Sequence, residues 1–503
     1  MGQLPKEETF QDLALRPLQE GEQLWKWLYN ELRAAILDGR LRAGARMPST
    51  RSLAKQCGVS RGTVLSVFEQ LHSEGYTETR AGSGTFVASG LPDQAMTARK
   101  KPLNPPALPT SNASLSKRGR DMVAGVAVLP ESTSLGKAFR MYEPAVDLFP
   151  VDLWARIAGR VLRRAPRSLF GQGNASGYEL LRREIAAYVG ASRGVRCTAE
   201  QVIVTSGAQQ ALDLAARILI DPGDRVWMED PGYPGANFVF RAAAACVVPV
   251  PVDQEGLDLQ AAIRTGSAKL VYVTPANQFP LGITMSLERR LDLLRWASAE
   301  GAWIIEDEYD AEYTYSGRPV PALQSLDRSG CVLYIGTFTK MLFNALRLGF
   351  IVVPERLVDA FVAAKSFMDR HGPTLDQAVL AEFLAEGHFG HHVRRMRQVY
   401  RERMFVLIEA ARKDLSGLLD VQEANAGMKT IGWLRPDLPD KEAASRARAL
   451  GLELGFVSAF TVRHSQPPGL VLGFAACRDG ELRRGVRVLA TALNGMRAKS
   501  STA

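Results

Sequence analysis

Short apolar runs in the second half of the sequence end in side chains that can do chemistry. VLYIGTFTK places Lys340 directly after such a run, and WIIEDEYD places Asp307 and Tyr309 at the end of another. A lysine amine can form a Schiff base with an aldehyde. A carboxylate can keep a pyridine nitrogen protonated, so that the ring withdraws electrons. Lys340 alone could equally be a solvated charge, so the neighbouring groups decide.

Groups suited to a phosphate and a flat ring follow other runs of the same kind. QVIVTSG leads through residues 206–208 into an apolar helical pattern, and backbone N–H groups at a helix N-terminus bind anions. Tyr233 in DPGYPG could stack on a ring, although it could also be a core aromatic. Arg347 follows Lys340 closely and could hold a phosphate through two hydrogen bonds. Together these are the groups that pyridoxal 5′-phosphate (PLP) requires.

The apolar runs alternate with helical patterns, which predicts an α/β domain around a mainly parallel sheet. Ligands of such domains bind at the carboxyl ends of the strands. We therefore expect the side chains that follow these runs to meet at one edge of the sheet. The predicted strands are QVIVTSG, DRVWMED, CVVPVPV, KLVYVTP, WIIEDEYD and VLYIGTF.

A smaller helical pattern precedes this domain. Residues 21–38 place apolar side chains on one helical stripe. Ser49 or Thr50 is suited to cap a second helix, and Ser60 is suited to cap a third, on either side of the CGVS turn. Two short helices joined in this way predict a helix-turn-helix, and YTETRAGSGTFVA predicts a two-stranded wing after it. Residues 39–68 contain six basic residues and no acid, as expected of a surface that faces DNA phosphates.

The formal net charge of +9 lies mostly outside this helical domain. Residues 1–88 hold 11 basic and 10 acidic residues, whereas residues 89–140 hold 8 and 3. Residues 90–120 are rich in Pro, Ser and Asn and lack helical or strand periodicity, which predicts a basic linker. The bulk charge therefore indicates nucleic acid as a partner, but only the stretch 39–68 indicates where DNA binds.

Composition excludes several other classes of protein. The chain is 46% apolar, so it can build large cores, and it has no uncharged apolar run long enough to cross a membrane. The N-terminus MGQLPKEETF lacks the apolar segment of a signal peptide. The five cysteines are scattered without a CxxC pair, which indicates reduced thiols and no metal site. We expect a cytoplasmic protein with no membrane partner.

The segment MPSTRSLAKQCGVSRGTVLSVFEQLHSEGYTETRAGSGTFV resembles the winged helix-turn-helix of GntR-type bacterial transcription regulators, over roughly residues 20–88. The arginines, the GVSR turn and the glycines of the wing all occur in register. The resemblance implies double-stranded operator DNA as a partner. The residues that it implies for DNA contact are Arg51, Ser60, Arg61, Thr63, Gly82 and Gly84.

The remainder of the chain resembles the fold-type I aminotransferases, over essentially all of residues 141–503. The matching motifs include YEPAVDLFP, DPGYPG, TPANQFPLG, EDEYDAEY and GTFTKMLFNALRLGF. The resemblance implies that Lys340 forms the Schiff base with PLP, that Asp307 lies at the pyridine nitrogen and that Tyr309 lies at the phenolic oxygen of the ring. The residues that it implies for cofactor binding are Ser206, Gly207, Ala208, Tyr233, Asn277, Asp307, Tyr309, Thr337, Thr339, Lys340 and Arg347.

One loop departs from the pattern of this group. Asn277 stands where the group more often has a histidine, in TPSHQFPTG, and Leu281 stands in place of the usual threonine. The contacts that the loop between the fourth and fifth predicted strands makes to the cofactor therefore do not follow from the resemblance.

A winged domain joined by a linker to such a body is the plan of the MocR-type regulators, and the chain is identified as a member of that group. The resemblance implies a multidomain fold, with a winged helix-turn-helix and a large α/β domain of aminotransferase fold type I. It also implies a homodimer that senses PLP or an amino-acid-like effector. The predicted division is 1–19 (N-terminal arm), 20–88 (winged domain), 89–140 (linker) and 141–503 (PLP-binding body).

Two alternatives to a purely regulatory protein remain open. The first is a competent PLP-dependent aminotransferase that carries a DNA-binding domain. Such an enzyme needs a cation for the carboxylate of its substrate, and Arg463 and Arg478 are the candidates late in the chain. The second is a body that no longer binds PLP and serves only as a dimerisation scaffold.

Overall fold

The protein forms two compact units, Met1–Ser114 and Leu115–Ala503. Each unit has its own hydrophobic core. The structure is a computed structural model that describes residues 15–19, 21–80, 82–90, 114–125, 137–315 and 320–500.

The described part of the first unit contains three helices, and two of them begin at capping residues of the sequence. Ser49 accepts a hydrogen bond from the N–H of Ser52, and Ser60 accepts one from the N–H of Thr63, so that both serines cap the helices that follow them. Gly58 ends the middle helix in the left-handed conformation. The predicted helix-turn-helix is confirmed. Its helices are α1 (Leu24–Leu37), α2 (Thr50–Cys57) and α3 (Arg61–Ser73).

A two-stranded antiparallel ribbon completes this unit as the predicted wing. Its strands are β1 (Thr77–Arg80) and β2 (Gly84–Val87), and Arg80 pairs with Gly84 at the tip. Val87 at the end of β2 is fully buried, in the core that α1 and α3 also share. The wing is therefore held to the helices by apolar packing at its base.

The second unit is built on an eight-stranded mixed sheet with the order β3-β10-β9-β8-β7-β4-β5-β6. The neighbouring pairs from β9 to β5 are parallel, whereas β10 runs antiparallel between β3 and β9. The six predicted strands are present, and β6 and β10 are additions that the apolar runs did not predict. The strands are β3 (Val202–Thr205), β4 (Arg225–Asp230), β5 (Cys246–Asp253), β6 (Gly256–Leu257), β7 (Leu270–Val273), β8 (Trp303–Glu308), β9 (Val332–Thr337) and β10 (Gly349–Val352).

Successive strand residues point to opposite faces of this sheet, and helices cover both faces and bury the apolar side chains there. Met228 packs in the cluster of one face and Trp227 in the cluster of the other. The helices that follow α3 in chain order are α4 (Lys117–Gly125), α5 (Val151–Arg164), α6 (Glu179–Arg193), α7 (Ala208–Leu219), α8 (Pro234–Ala242), α9 (Leu259–Arg264), α10 (Leu287–Glu300), α11 (Leu323–Leu326), α12 (Val358–Met368) and α13 (Thr374–Ala385).

A second, antiparallel sheet of four strands follows, with the order β11-β12-β14-β13. Three helices pack around it and supply much of the largest apolar cluster. Its strands are β11 (Leu419–Val421), β12 (Lys429–Leu434), β13 (Gly455–Phe456) and β14 (Gly469–Gly473). The accompanying helices are α14 (His388–Asp414), α15 (Asp440–Ala449) and α16 (Asp479–Ser500).

Helix α4 corrects the prediction that residues 90–120 lack regular structure. The helix spans Lys117–Gly125 and belongs to the second unit, where it packs against α8. Ser116 accepts a hydrogen bond from the N–H of Gly119 in its first turn. The basic residues at its start do not form an apolar stripe, which is why periodicity missed it. Residues 91–113 of the predicted linker lie outside the described residues.

No helix in the described ranges is long and apolar enough to cross a membrane.

Candidate functional site

The topology brings the predicted site residues to one edge of the large sheet. Strands β3, β4, β7, β8 and β9 all point the same way, so their carboxyl ends share that edge. Because β10 is antiparallel, its first residue lies there too, and Gly349 pairs with both Thr205 and Thr337. The loops that follow Thr205 and Thr337 therefore meet the loop that carries Arg347.

A helix N-terminus and an arginine come together at this edge. Gly207 precedes α7 with a φ of +122°, which a side chain would strain. The Arg347 guanidinium is its neighbour, since a Cβ built on Gly207 would lie 3.6 Å from one guanidinium nitrogen. At the end of β9, the hydroxyls of Thr337 and Thr339 form a hydrogen bond of 2.8 Å. Helix N–H groups, a guanidinium and hydroxyls are suited to hold a phosphate.

Ser206 and Ala208 complete this group of predicted residues. The N–H of Ser206 donates to the side chain of Gln210, and Ser206 is exposed beside the start of α7. Ala208 is the first residue of that helix. Their backbone amides therefore lie at the helix terminus that the sequence predicted as an anion site.

Asp307 has one carboxylate oxygen without a partner. Its Oδ2 accepts a hydrogen bond of 2.8 Å from the Tyr272 hydroxyl, whereas the buried Oδ1 has no hydrogen-bond partner in the described part of the chain. Burial raises the pKa of Asp307 to about 7, although the hydrogen bond from Tyr272 opposes the shift. A buried, unsatisfied acceptor is costly, and a ligand N–H that reached it would remove that cost.

The Lys340 amine lies shortly after the end of β9, beside the backbone and ring of Tyr142. Its Nζ donates to the backbone carbonyl of Tyr142 at 2.9 Å and lies 5.0 Å from the centre of the Tyr142 ring. Burial, together with the charge of Arg347, lowers the pKa of Lys340 to about 8. The lowered pKa increases the fraction of neutral amine, which is the nucleophilic form.

Phe279 is the centre of an aromatic cluster beside these groups, and the sequence reasoning did not single it out. Its ring packs against four others, with centroid distances of 5.6 Å to Tyr142, 5.8 Å to Tyr233, 6.2 Å to Tyr309 and 4.9 Å to Phe460. Phe279 belongs to the quoted TPANQFPLG motif, so the motif contained the signal. The predicted ring-stacking residue Tyr233 thus lies in an apolar cluster as well as at the site.

A polar network joins the remaining predicted residues to the second sheet. The Tyr309 hydroxyl donates to the carbonyl oxygen of Asn277 at 2.8 Å, and the Asn277 side-chain amide donates to Asp310 at 2.7 Å. The N–H of Met428 also donates to Asp310, and Lys429 Nζ donates to the Tyr309 hydroxyl at 2.7 Å. Sequence analysis did not single out Asp310, although it directly follows Tyr309 in the EDEYDAEY motif. It missed Met428 and Lys429 because they are distant in sequence from the predicted strands.

Asp230 fixes a second loop of the small sheet to the same edge. Its carboxylate accepts hydrogen bonds of 2.7 Å from the backbone N–H groups of Val462, Arg463 and His464. The side chain of Arg463 is exposed. The other predicted carboxylate cation, Arg478, pairs instead with Asp147 at 3.0 Å and is 73% exposed.

Most of the predicted DNA residues of the winged unit are exposed, and Thr63 is half-buried. Arg61 is the first residue of α3, and its Nε donates to the Thr50 hydroxyl at the start of α2 at 3.3 Å. Arg51, next to Thr50, is exposed, as are Ser60 and Arg61. The first turn of a recognition helix is the part that contacts base edges in the major groove.

The wing glycines have conformations that suit their predicted place. Gly82 and Gly84 are exposed, with φ values of +74° and +107°. The side chain of Arg46 lies against Gly84, because a Cβ there would be 3.1 Å from its Nε. A basic side chain thus lies beside the tip of the wing.

The fold and the site define a two-domain protein in which a winged helix-turn-helix is joined to a body of the aminotransferase fold. The family of bacterial regulatory proteins of the gntR family matches residues 25–87, and aminotransferase class I and II matches residues 146–489. The chain belongs to both families, and it is a MocR-type transcription regulator of the GntR family.

Similar proteins share this whole plan. The probable rhizopine catabolism regulatory protein MocR of Rhizobium meliloti is 42% identical over 92% of this chain and 92% of its own length. The HTH-type transcriptional regulator TauR of Rhodobacter capsulatus is 37% identical over 83% of this chain and 85% of its own. The body alone resembles LysN, the α-aminoadipate aminotransferase of Thermus thermophilus, with a TM-score of 0.67 and 28% identity over 76% of this chain and 96% of that one.

The close approach of the two sheets predicts a specific sensitivity at Gly427. A Cβ there would lie 2.3 Å from Asn277 Nδ2 and 2.5 Å from Asp310 Oδ2, and φ is +85°. Gly417 has a similar φ of +73° but open space around it. Replacing either glycine by Ala should cost about 1–3 kcal/mol from the backbone conformation, and Gly427→Ala should cost about 1–3 kcal/mol more from overpacking. Urea unfolding of the full chain measures the difference, and equal losses would contradict the close contact.

Burial of Asp307 predicts a pH dependence of stability in the protein free of small molecules. Because the pKa is raised to about 7, the folded state keeps a proton that the unfolded state releases, so this group lowers stability as pH rises from about 4 to 7. Asp307→Asn should remove a slope that approaches about 1.4 kcal/mol per pH unit. The control is Asp292→Asn, a carboxylate 38% exposed on α10. Unfolding free energies at pH 5, 6 and 7 with the same slope in Asp307→Asn and wild type would contradict the assignment.

Proposed function

We propose that the chain is a PLP-dependent transcription regulator, in which the body of residues 141–503 binds PLP and senses PLP or an amino compound through a Schiff base at Lys340. The observation that carries this proposal is the buried Oδ1 of Asp307, which has no partner among the described residues. A protonated pyridine nitrogen supplies the donor that this oxygen lacks. The buried amine of Lys340 lies after the neighbouring strand of the same sheet.

The other predicted site residues are assigned to the remaining parts of the cofactor. Ser206, Gly207 and Ala208 would hold the phosphate with Thr337, Thr339 and Arg347. Tyr233 would stack on the ring, and Tyr309 would contact its phenolic oxygen beside Asn277. When bound, PLP supplies an aldehyde carbon and an electron-withdrawing ring. The solved LysN structure contains N-(5′-phosphopyridoxyl)-L-leucine, which supports this assignment by similarity.

Regulation requires that ligand binding favour one arrangement of the winged domains over another. A ligand that shifts a two-state equilibrium from 1:99 to 99:1 must bind one state more tightly by about 5.5 kcal/mol. We propose a homodimer that presents two winged domains to two operator half-sites, since linked half-sites raise the effective concentration of the second.

We further propose the chain division 1–19, 20–88, 89–140 and 141–503. DNA contact is assigned to Arg51, Ser60, Arg61, Thr63, Gly82 and Gly84 of the winged domain. The first turn of α3 would reach base edges, and the wing would reach the neighbouring backbone.

A competent aminotransferase is the second candidate, because the cofactor residues form a complete set and the pKa of Lys340 is lowered to about 8. Purified protein incubated with PLP, an amino donor and a keto acid tests it. Many turnovers per site would show an enzyme, whereas exchange limited to one equivalent would support the regulator.

Lys340→Ala should remove the absorbance band of bound PLP and the response of DNA binding to amino compounds, because the amine that reacts with the aldehyde is lost. Lys269→Ala is the control, since Lys269 is exposed and could form only an adventitious Schiff base. Absorbance spectra after gel filtration measure the first effect and gel-shift titrations the second. A band that persists in Lys340→Ala would refute the proposed lysine, and a wild type without any band would favour the scaffold.

Arg61→Ala should weaken binding to specific DNA by about 1–3 kcal/mol if the side chain contacts a base edge. The probe is the sequence that the wild type selects from a random DNA pool, with a scrambled duplex for comparison. Lys26→Ala, on α1 and outside the basic stretch 39–68, is the control. An equal loss on both duplexes would reduce Arg61 to a phosphate contact.

A further inference from the structure

Lys429 is a buried lysine beside the proposed PLP site. It is the first residue of β12 and is only 5% exposed. Its ammonium donates to the Tyr309 hydroxyl at 2.7 Å and lies over two aromatic rings, 4.8 Å from the centre of Tyr309 and 5.2 Å from that of Phe279. An ammonium in this position is not required by the packing of β12, whose neighbours in the cluster are apolar.

The ammonium has more donors than the described residues satisfy. A lysine carries three N–H donors, and within the described ranges one of them is used, by Tyr309. The acid whose charge acts on Lys429 is Asp310, and its oxygens are already bonded to Asn277 and to the N–H of Met428. Burial lowers the pKa of Lys429, and the charge of Asp310 opposes the shift. A buried cation with unused donors is costly unless an anion joins it.

Lys340 and Lys429 each lie against one of two stacked rings. Tyr142 and Phe279 stack at 5.6 Å, the Lys340 amine lies 5.0 Å from the Tyr142 ring, and the Lys429 amine lies 5.2 Å from the Phe279 ring. One small molecule could therefore have its amino group near Lys340 and another group near Lys429. The aromatic rings between them are suited to a short carbon chain.

The two arginines that the sequence suggested for a carboxylate have exposed side chains, whereas Lys429 is buried. The Arg478 guanidinium pairs with Asp147 on an exposed surface. The Arg463 side chain is exposed, and its backbone N–H is held by Asp230. Of the three residues, only Lys429 contacts a predicted cofactor residue, Tyr309.

We infer that Lys429 binds the acidic group of the effector, so that the effector is an amino acid rather than a simple amine. The inference rests on the proposed function, because it takes the amino group to be recognised at the PLP site. A carboxylate or sulfonate next to Lys429 would use the free donors and neutralise the buried charge. The acidic group also supplies the differential binding that a simple amine of the same length lacks.

The test uses ready-made adducts that do not require knowledge of the effector. The probes are N-(5′-phosphopyridoxyl) derivatives of L-leucine, β-alanine and γ-aminobutyrate, each compared with the derivative of the matched amine, 3-methylbutylamine, ethylamine or propylamine. Calorimetry measures their binding to the PLP-free full-length chain. At least one acid should bind about ten-fold or more tightly than its matched amine, as expected for one charge-assisted hydrogen bond.

Two variants separate charge from structure. Lys429→Met keeps the length and apolar stem of the side chain but removes the charge, so it should bind acid and amine adducts equally. Lys429→Arg keeps the charge and should keep part of the preference. Binding of the amine adducts by Lys429→Met shows that the variant is folded.

The outcomes of the test distinguish the inference from the proposed function. Failure of the wild type to bind any adduct would overturn PLP binding itself. Binding of all adducts without preference for any acid, or a preference that survives in Lys429→Met, would leave PLP binding intact and overturn the role of Lys429.

Discussion

The site depends on a backbone contact between Gly207 and Gly349 that leaves no room for a side chain. A Cβ on Gly349 would lie 2.8 Å from Gly207 Cα and 2.9 Å from the carbonyl oxygen of Gly336. The contact is possible because β10 runs antiparallel between β3 and β9. It places the loop of Arg347 against the N-terminus of α7. The arrangement of the groups proposed to bind a phosphate is therefore a consequence of strand register and of two residues without side chains.

Buried carboxylates then attach the small sheet to the large one. Asp230 holds three consecutive backbone N–H groups of the loop 462–464, and Asp310 holds the N–H of Met428. Asp230 is the last residue of β4 and Asp310 comes shortly after β8, so the small sheet is aligned to the same edge of the large sheet. This alignment is what brings Lys429 to Tyr309. Charge-assisted hydrogen bonds to backbone amides are strong and directional, which suits them to position one sheet on another.

A regulator and an enzyme of this fold need the same contacts to the cofactor, because both must hold and activate it. They differ in what the bound state changes. Helix α4, which precedes the body along the chain, packs against α8, and α8 begins directly after Tyr233. The first described helix of the second unit thus contacts a helix that begins next to Tyr233, a residue of the proposed cofactor site. MocR-type regulators combine these two domains, and the residues of the body are consistent with a sensor as well as with a catalyst.

The sequence by itself determined the two domains, the six principal strands and the residue types at their ends, because apolar periodicity, caps and glycine turns are local signals. Lys340, Asp307 and Arg61 could be singled out in this way, and Ser49 and Ser60 cap the helices that they were expected to cap. Only the tertiary structure decided that β10 is antiparallel, that Asp307 keeps an oxygen without a partner among the described residues, and that Lys429 is buried against Tyr309 whereas Arg463 and Arg478 are exposed. These facts depend on contacts between residues far apart in the chain, and no local pattern encodes them.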